Sequence, residues 1–432
     1  MAKKKMHAVQ GSPGEFVSTR YALVRAAENC FSARGFNATS IQDIARQAGV
    51  AKGNVYHYFS GKDEVLRLIL DRLLDDMLVA IDRIPYDELN CAAQVHAFVG
   101  VMVNLVGHNR TGVAIFVQER RRLSGQLFAD VLARTDNMVG KLTTVLERGI
   151  EQGEFRPLPS AKALAIGFIG LATWVYQWYL PDHRMSLTEI AEMYASVVVD
   201  GLAVNRSRKT TVPVVFAHAV DEVDRPPVTT RETLLRAALD LFLVHGYDKT
   251  SIINIAERAN VTTGAFWAHF ARKDEILRHI ANRFLDRLLA SIDRVLEQDL
   301  PAPETLARFI VEMMGEVGDH RIELTIFLQE RPLLGTEVFP DVRAKSAQLV
   351  QKFVTVLEAG EEQGVFRALR SPRIMAYGLL GLWSFPIQWS EPGAVVSQST
   401  VQMYAEVILQ GLRRRPEQER RAIDAAAMIG RD

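Results

Sequence analysis

The sequence has few cysteines and no excess of charge of either sign. Only Cys30 and Cys91 occur among 432 residues, and no C-x-x-C pair is present, which argues against a zinc site and a disulfide framework. We expect both thiols to be buried in a reducing compartment. Lys and Arg number 51, as do Asp and Glu. The chain is therefore not a polycation that coats nucleic acid, although a neutral total can hide a basic face.

Signals of catalysis and of membrane insertion are equally scarce. We find no Gly-x-Ser-x-Gly elbow, no phosphate-binding glycine loop and no metal-ligand cluster, so we expect neither an enzyme nor a cofactor. The lysine-rich start lacks the apolar segment of a signal peptide. The most apolar run, Ala163–Leu180, only just reaches spanning length and contains Thr173 and Gln177, which favours a buried helix. We therefore expect a cytoplasmic protein that contacts no membrane.

What the sequence does contain is an internal duplication. Thr19-Arg20 recurs as Thr230-Arg231, an offset of 211 residues. The same offset relates matching segments along both halves, and it slips by one only near Gly201 and its counterpart Gly411. A period of this length indicates two duplicated globular units and not a solenoid.

Each unit is predicted to be almost entirely helical, with about nine helices and no convincing strand. Apolar residues form a helical stripe along Tyr21–Arg34, which Gly35 ends. A long amphipathic helix is predicted from Asp63, and helical patterns continue to the end of the unit. In the second unit we expect Pro386 to bend or break a helix at the position that Val175 occupies in the first.

Two short helices joined by a tight turn follow the first helix of each unit. In the first unit, Thr39 or Ser40 caps one helix, which ends at Ala48, and the other runs over residues 51–59. This is the helix-turn-helix pattern, whose second helix enters the major groove of DNA. Lys and Asn can read base edges, and Tyr and Lys can bind phosphates. The outward residues here are Lys52, Asn54, Tyr56 and His57.

Each unit resembles the TetR family of regulators. The most specific match is Gly35-Phe36-x-x-Thr39-Ser40-Ile41-x-x-Ile44-Ala45-x-x-Ala48-Gly49-Val50 through Tyr56-x-Tyr58-Phe59-x-x-Lys62. The resemblance implies a helix-turn-helix in the major groove, further helices that bind a small effector, and dimerisation through the last two helices. The DNA-facing residues that it implies are Thr39, Gln42, Arg46, Lys52, Gly53, Asn54, Tyr56, His57 and Lys62, and Thr250, Thr262, Thr263, Gly264, Trp267, His269 and Lys273 in the second unit.

We accordingly predict an all-α protein of two tandem TetR-like units. Its segments are a basic disordered tail (1–17), helix-turn-helix domain 1 (18–62), ligand-binding and dimerisation domain 1 (63–204), a linker (205–228), helix-turn-helix domain 2 (229–273), ligand-binding and dimerisation domain 2 (274–412) and a C-terminal tail (413–432). Fully extended, the linker could reach roughly 80 Å, enough to run the length of one domain.

The second helix-turn-helix departs from the pattern on its outward face. It carries Thr263, Ala265 and Trp267 where the first has Lys, Asn and Tyr. Helix-turn-helix domain 1 contains six basic and two acidic residues, whereas helix-turn-helix domain 2 contains six basic and four acidic residues. Two interpretations remain open: the second unit reads a different half-site, or it has partly lost DNA binding.

The second half of each unit is rich in aromatic residues and is predicted to hold an elongated apolar cavity, although such a cluster can also be core or dimer interface. In this half the chain looks like a branch of the family with repressors of fatty-acid and steroid degradation that respond to acyl-CoA thioesters. Many members of that branch carry Arg where Gln177 and Gln388 stand, so a cation that would bind a CoA phosphate is missing. The predicted lining is Phe98, Met102, Phe116, Trp174, Gln177 and Trp178, and Phe309, Met313, Phe327, Phe385, Gln388 and Trp389 in the second unit.

Together these features predict a transcriptional regulator that binds double-stranded DNA, as a repressor released by a small hydrophobic effector, with acyl-CoA the subclass suggested by resemblance. The alternative is that only the first helix-turn-helix binds DNA and the second unit is a scaffold. One chain holds two helix-turn-helix domains, which we call readers. We therefore expect an intramolecular pseudo-dimer that packs Ala161–Val204 against Ser371–Leu412. The alternative is a dimer of such chains. Because the outward residues of the two readers differ, we predict an asymmetric or imperfectly palindromic operator.

Overall fold

The computed structural model describes residues 13–36, 38–120, 123, 125–180, 183–203, 229–335, 337–389 and 397–413. These ranges form helices and two isolated β-bridges, Phe155 with Ala203 and Phe366 with Arg413. The prediction of an all-α chain of two tandem units is confirmed. The predicted linker (205–228), residues 1–12 and the C-terminal tail after residue 413 lie outside the described residues.

The described part of each unit contains ten helices, one more than predicted. The first unit has α1 (Pro13–Arg34), α2 (Ile41–Ala48), α3 (Lys52–Val55), α4 (Lys62–Asp82), α5 (Cys91–His108), α6 (Arg110–Glu119), α7 (Gly125–Glu151), α8 (Ala161–Thr173), α9 (Val175–Trp178) and α10 (Leu187–Leu202). The second has α11 (Thr230–His245), α12 (Ile252–Arg258), α13 (Thr263–His269), α14 (Lys273–Leu296), α15 (Ala302–Asp319), α16 (Arg321–Gln329), α17 (Arg331–Leu334), α18 (Pro340–Glu362), α19 (Pro372–Trp389) and α20 (Gln398–Leu412).

Helix boundaries differ from the sequence-based expectation in both units. Helix α1 begins at Pro13, so residues 13–17, predicted as part of a tail, are helical. We expected Pro386 to bend or break its helix, and the structure shows no break, because α19 continues through this proline to Trp389. Proline removes one intrahelical hydrogen bond and crowds the carbonyl group four residues earlier, but neither effect ends the helix here. The interruption falls instead in the first unit, where Trp174 separates α8 from α9.

One helix of the described residues, α5, is long and apolar enough to cross a membrane by length and composition. It packs against α7, α8 and α10 within its unit. The apolar run that drew attention in the sequence, Ala163–Leu180, lies on α8 and α9, which are buried over most of their length.

The two units are joined by four helices. Helix α8 packs along α19, and α10 packs along α20. At the first crossing, a β-carbon placed on Gly381 would lie 2.5 Å from the carbonyl oxygen of Gly170, and one placed on Gly170 would lie 2.6 Å from the carbonyl oxygen of Gly381. Only glycine allows two helix backbones to approach this closely.

The same reciprocity occurs at the second crossing. A β-carbon on Gly201 would lie 2.1 Å from the carbonyl oxygen of Val407, and one on Gly411 would lie 1.9 Å from that of Val197. The slip of the sequence repeat by one residue near its end is therefore accommodated without loss of the contact. The two crossings are reciprocal, because each unit places a glycine against the backbone of the other.

Two buried tyrosines extend this symmetry. The Tyr194 hydroxyl donates a hydrogen bond of 2.7 Å to the carbonyl oxygen of Ile374, and the Tyr404 hydroxyl donates to that of Ala163. Each ring fills the space above a glycine of the opposite unit, Gly378 or Gly167. Burial raises the pKa of both phenols. The buried apolar residues of the two units consequently form one contiguous cluster.

Candidate nucleic-acid interface and internal cavity

The first helix-turn-helix is fixed by local signals at both ends of α2. The Ser40 hydroxyl accepts a hydrogen bond from the backbone N–H of Asp43, and the Asp43 carboxylate accepts one from the backbone N–H of Ser40. This capping box starts the helix. At the other end Gly49 adopts a φ of 71°, which makes the tight turn into α3.

Between these signals, Ile44, Ala45 and Val55 are buried where α2 meets α3. This packing presents a polar surface on the other side of both helices. The Tyr56 side chain is 53% exposed. Helix α3 itself ends at Val55, so Tyr56 and His57 lie in the turn that follows it. The exposed residues of this surface, called the first reader face, are Gln42, Arg46, Lys52, Gly53, Asn54, Tyr56 and His57.

Thr39 and Lys62 lie apart from the first reader face, and their assignment as DNA-facing stays a prediction. The Thr39 side chain is 2% exposed and donates to the carbonyl oxygen of Gly35 at 2.8 Å. The Lys62 ammonium donates to the carbonyl oxygens of Phe36 and Thr39 at 2.8 and 3.1 Å. Its burial lowers the pKa of Lys62. Both side chains thus hold the α1–α2 loop against the start of α4.

The second helix-turn-helix uses different residues for the same turn. Ser251 and Asn254 form its capping box, and Asn260 takes the left-handed position of Gly49 with a φ of 55°. Asparagine tolerates this conformation better than other residues with a β-carbon. Thr262 caps α13 by accepting from the N–H of Ala265, so α13 runs for seven residues against four in α3.

The outward surface of α12 and α13, called the second reader face, is largely apolar or neutral. Trp267 is 55% exposed and Ile253 is 57% exposed. Glu257 is exposed at the position of Arg46. Of the predicted DNA-facing residues, Thr262, Thr263, Gly264, Trp267 and His269 are exposed here.

Thr250 and Lys273 repeat the internal contacts of Thr39 and Lys62, and their DNA-facing assignment stays a prediction as well. Thr250 is 2% exposed and donates to the carbonyl oxygen of Gly246 at 2.8 Å. The Lys273 ammonium donates to the carbonyl oxygens of Tyr247 and Thr250 at 2.7 and 3.0 Å. It lies 4.0 Å from the centre of the Tyr247 ring, a cation–π contact.

A carboxylate from the effector half reaches each reader, which sequence reasoning did not identify. The Phe36 N–H donates to Glu119 at 3.4 Å, and the Tyr247 N–H donates to Glu330 at 3.5 Å. Glu119 ends α6 and is 3% exposed. The signal was the Gln-Glu-Arg segment repeated at the offset of 211. Helices α6 and α16 also contact each other across the units, so both readers connect to one central element.

A cavity of about 40 Å³ lies in the effector half of the second unit. Its wall is formed by α14, α15, α16, α18 and α19, together with one residue of the first unit, Trp174. Of the predicted lining residues, Met313, Phe327 and Trp174 contact this cavity. Trp174 thus contributes to a cavity wall of the second unit, whereas its predicted role was in a cavity of its own unit.

The other predicted lining residues occupy different places. Trp178 stacks on Tyr377 of the second unit with 5.2 Å between ring centroids. The Gln177 amide donates to the Tyr176 hydroxyl. The side chains of Gln388 and Trp389 lie outside the described residues. The remaining residues are buried core away from the cavity wall, namely Phe98, Met102, Phe116, Phe309 and Phe385.

Two family models each match the chain twice, once in each unit. Residues 23–69 and 234–280 match the tetR family of bacterial regulatory proteins. Residues 88–202 and 299–412 match the tetracyclin repressor-like C-terminal domain.

Single-unit relatives align with less than half of the chain. The HTH-type transcriptional repressor KstR2 of Rhodococcus jostii is 31% identical over 186 residues, which is 43% of this chain and 91% of that repressor. KstR2 of Mycobacterium tuberculosis is 29% identical over 191 residues, 44% of this chain and 95% of the repressor.

The similar solved structures also cover less than half of this chain. The ketosteroid transcriptional regulator KstR2 of Mycobacterium tuberculosis is 25% identical, with a TM-score of 0.42 over 46% of this chain and 99% of that chain. AibR in complex with isovaleryl coenzyme A and operator DNA is 26% identical, with a TM-score of 0.37 over 43% of this chain and 98% of that chain. The relatives are transcriptional regulators and not enzymes. The paired family matches show that this chain belongs to the TetR family of bacterial regulatory proteins and carries both of the family's domains twice.

Proposed function

We propose that this chain is a cytoplasmic transcriptional repressor that binds operator DNA as an intramolecular pseudo-dimer and is released by a small hydrophobic effector. The observation that carries the proposal is the reciprocal packing of α8 and α10 on α19 and α20. A regulator that reads two half-sites needs two readers held in a fixed relation. One chain supplies both readers and the interface between them.

Contacts between the two units support a fixed relation between the readers. The loops that follow α1 and α11 adjoin, since a β-carbon on Gly35 would lie 3.4 Å from the Asp248 carboxylate. Arg156 pairs with Glu406 at 3.2 Å and Arg367 pairs with Asp200 at 2.7 Å. These two arginines tie each unit to the last helix of the other.

The operator that we propose is asymmetric. The first reader face offers Lys52, Asn54 and Arg46, which suit guanine and adenine edges and phosphates. The second offers Ile253 and Trp267, which suit apolar contact with thymine methyl groups. The second candidate function is favoured by the same apolar surface: DNA binding by the first unit alone, with the second unit as a scaffold.

The experiment that tests the proposal is selection of bound fragments from random DNA by the full-length chain, followed by light scattering of the complex. We expect an imperfectly palindromic site that binds one chain per duplex. A site with only one defined half would favour the scaffold function. A perfect palindrome occupied by two chains would contradict the pseudo-dimer.

The effector part of the proposal draws on the relatives and on the cavity. AibR is described in complex with isovaleryl coenzyme A, which supports a hydrophobic effector for this chain. An effector shifts DNA binding only if it prefers the conformation whose readers are misplaced. Thermal stabilisation of the chain by at least one member of a panel of acyl-CoAs, free fatty acids and steroids, with DNA release measured in parallel, tests this part.

A further inference from the structure

The cavity of the second unit has a wall that crosses between the units. We propose that it is an effector site for a neutral, apolar ligand, and that the ligand acts by displacing Trp174 of the first unit. The inference rests on the proposed function for its regulatory consequence, whereas the binding site itself does not depend on it.

The lining sets the class of ligand. Among the described residues, the wall contains no charged side chain, and Ser346 and Ser384 are its only hydroxyl residues. An ionised carboxylate or phosphate placed here would lose its hydration without gaining a cation or a set of donors, which is costly. The buried part of the ligand must therefore be uncharged.

The serine hydroxyls of the cavity wall restrict the class of ligand further. Ser346 donates its proton to the carbonyl oxygen of Val342 at 2.9 Å, so its oxygen is left with acceptor capacity. A ligand hydroxyl can donate to such an oxygen, whereas a carboxylate has no proton to offer. A long-chain alcohol or a hydroxylated ring hydrocarbon fits this chemistry.

The size of the cavity requires a movement. A volume of about 40 Å³ is far below the ~300 Å³ of small ligand pockets. Most of the wall consists of side chains such as Met313 and Phe327, which lie on continuous helices of the second unit. Trp174 is different, because it stands where α8 ends and α9 begins. It is also the largest side chain of the wall, so its displacement opens the most space.

Displacing Trp174 would loosen the contact between the units. A β-carbon on Gly381 would lie 2.5 Å from the β-carbon of Trp174, so this residue sits directly on the α19 backbone. It neighbours the Gly170–Gly381 crossing that joins α8 to α19. A ligand in the second unit would thereby change how the first unit is held, and with it the relation of the two readers.

The test uses the full-length chain with 1-decanol, decanoate and decanoyl-CoA, measured by calorimetry and by release of a selected DNA fragment. We expect 1-decanol to bind and release DNA, and the two charged compounds to do neither. The Trp174→Ala variant should bind 1-decanol about tenfold more tightly, because the cost of displacing the indole is gone. It should no longer release DNA, because no indole remains to be displaced.

The matched control is Trp178→Ala, which removes an indole from the same junction but not from the cavity wall. Its affinity for 1-decanol should stay within about threefold of the unchanged chain. If Trp174→Ala does not fold, Trp174→Phe replaces it, since Phe385 occupies the pseudo-symmetric position. The phenylalanine variant should bind 1-decanol more tightly than the unchanged chain and release DNA less completely.

Three results would overturn the inference: equal affinity of the Trp174 variants and the unchanged chain, an equal effect of Trp178→Ala, or decanoate or decanoyl-CoA binding as tightly as 1-decanol. Failure of the proposed function has a separate signature. In that case the unchanged chain would select no DNA, while calorimetry would still show 1-decanol binding that depends on Trp174.

Discussion

The crossing of α10 and α20 allows a direct test of the interface between the units. Replacing Gly201 with alanine would place a β-carbon 2.1 Å from the carbonyl oxygen of Val407. The obstacle is backbone, so it cannot rotate away, and the two helices must separate by more than an ångström. Overpacking of this kind costs about 1–3 kcal/mol. The gain in helix propensity is at most about 1 kcal/mol and is smaller here, because Gly201 is one residue from the end of α10.

We therefore expect Gly201→Ala to lower the free energy of unfolding by about 2 kcal/mol, measured by urea unfolding followed by tryptophan fluorescence. The matched control is Gly100→Ala in the interior of α5, where a β-carbon meets nothing within 4 Å. That change should stabilise the chain by about 0.5–1 kcal/mol. DNA affinity should fall for the first variant and not for the second. If Gly201→Ala is as stable as the unchanged chain, the units do not meet at this crossing and the reasoning fails.

Three further predictions concern the readers. Lys52→Ala should weaken DNA binding more than Thr263→Ala and should reduce the slope of log affinity against log salt by about 1; equal effects in a gel-shift titration would contradict unlike readers. Lys62→Met should lower stability by about 1–3 kcal/mol, because two carbonyls lose a charged donor, while the salt slope stays unchanged; a reduced slope would return Lys62 to the DNA contacts. Burial raises the pKa of Glu28, so its protonated form is favoured in the folded chain and the associated stability is lost as the pH rises through the raised pKa. Glu28→Gln should therefore raise the melting temperature at neutral pH, and the gain should vanish below the ordinary pKa of 4.5; a gain that persists in acid would refute the assignment.

The parts of the fold that were predictable from the sequence are those that local chemistry fixes. Ser40 with Asp43 at the start of α2 and Gly49 at its end define the helix-turn-helix without any distant contact. The repeat then implied a second copy with Asn260 in the same role. Capping and turn residues carry this signal because each satisfies backbone groups within a few positions.

The parts that were not predictable depend on packing between distant segments. From the sequence we predicted that Thr39 faces DNA, whereas in the structure its hydroxyl donates a hydrogen bond to the carbonyl oxygen of Gly35. From the sequence we predicted that Trp174 lines a cavity of the first unit, and in the structure it lines the cavity of the second. No pattern of apolar spacing distinguishes a side chain that faces its own core from one that crosses a pseudo-two-fold axis. Only the reciprocal glycine contacts, such as Gly170 with Gly381, disclose that axis.

Joining two units in one chain removes a constraint that a homodimer obeys. In a homodimer every contact across the axis occurs twice, so each must be made by one sequence with itself. Here Tyr194 and Tyr404 still make matching hydrogen bonds, because both backbones need them. The ion pair of Glu189 with Arg370 at 3.0 Å has no mirror image.

The residues at the mirror positions explain why, since Ser399 and Pro159 cannot form an ion pair. The stack of Trp178 on Tyr377 is one-sided too, because Ile166 takes the place of the tyrosine. Contacts of this kind favour the first unit paired with the second over either unit paired with a copy of itself. For the proposed asymmetric operator, the same freedom lets Trp267 stand where the first unit has Tyr56, so that one half-site changes without the other. A duplicated and fused regulator can therefore diverge at the readers and at the cavity while the glycines and tyrosines of its axis stay matched.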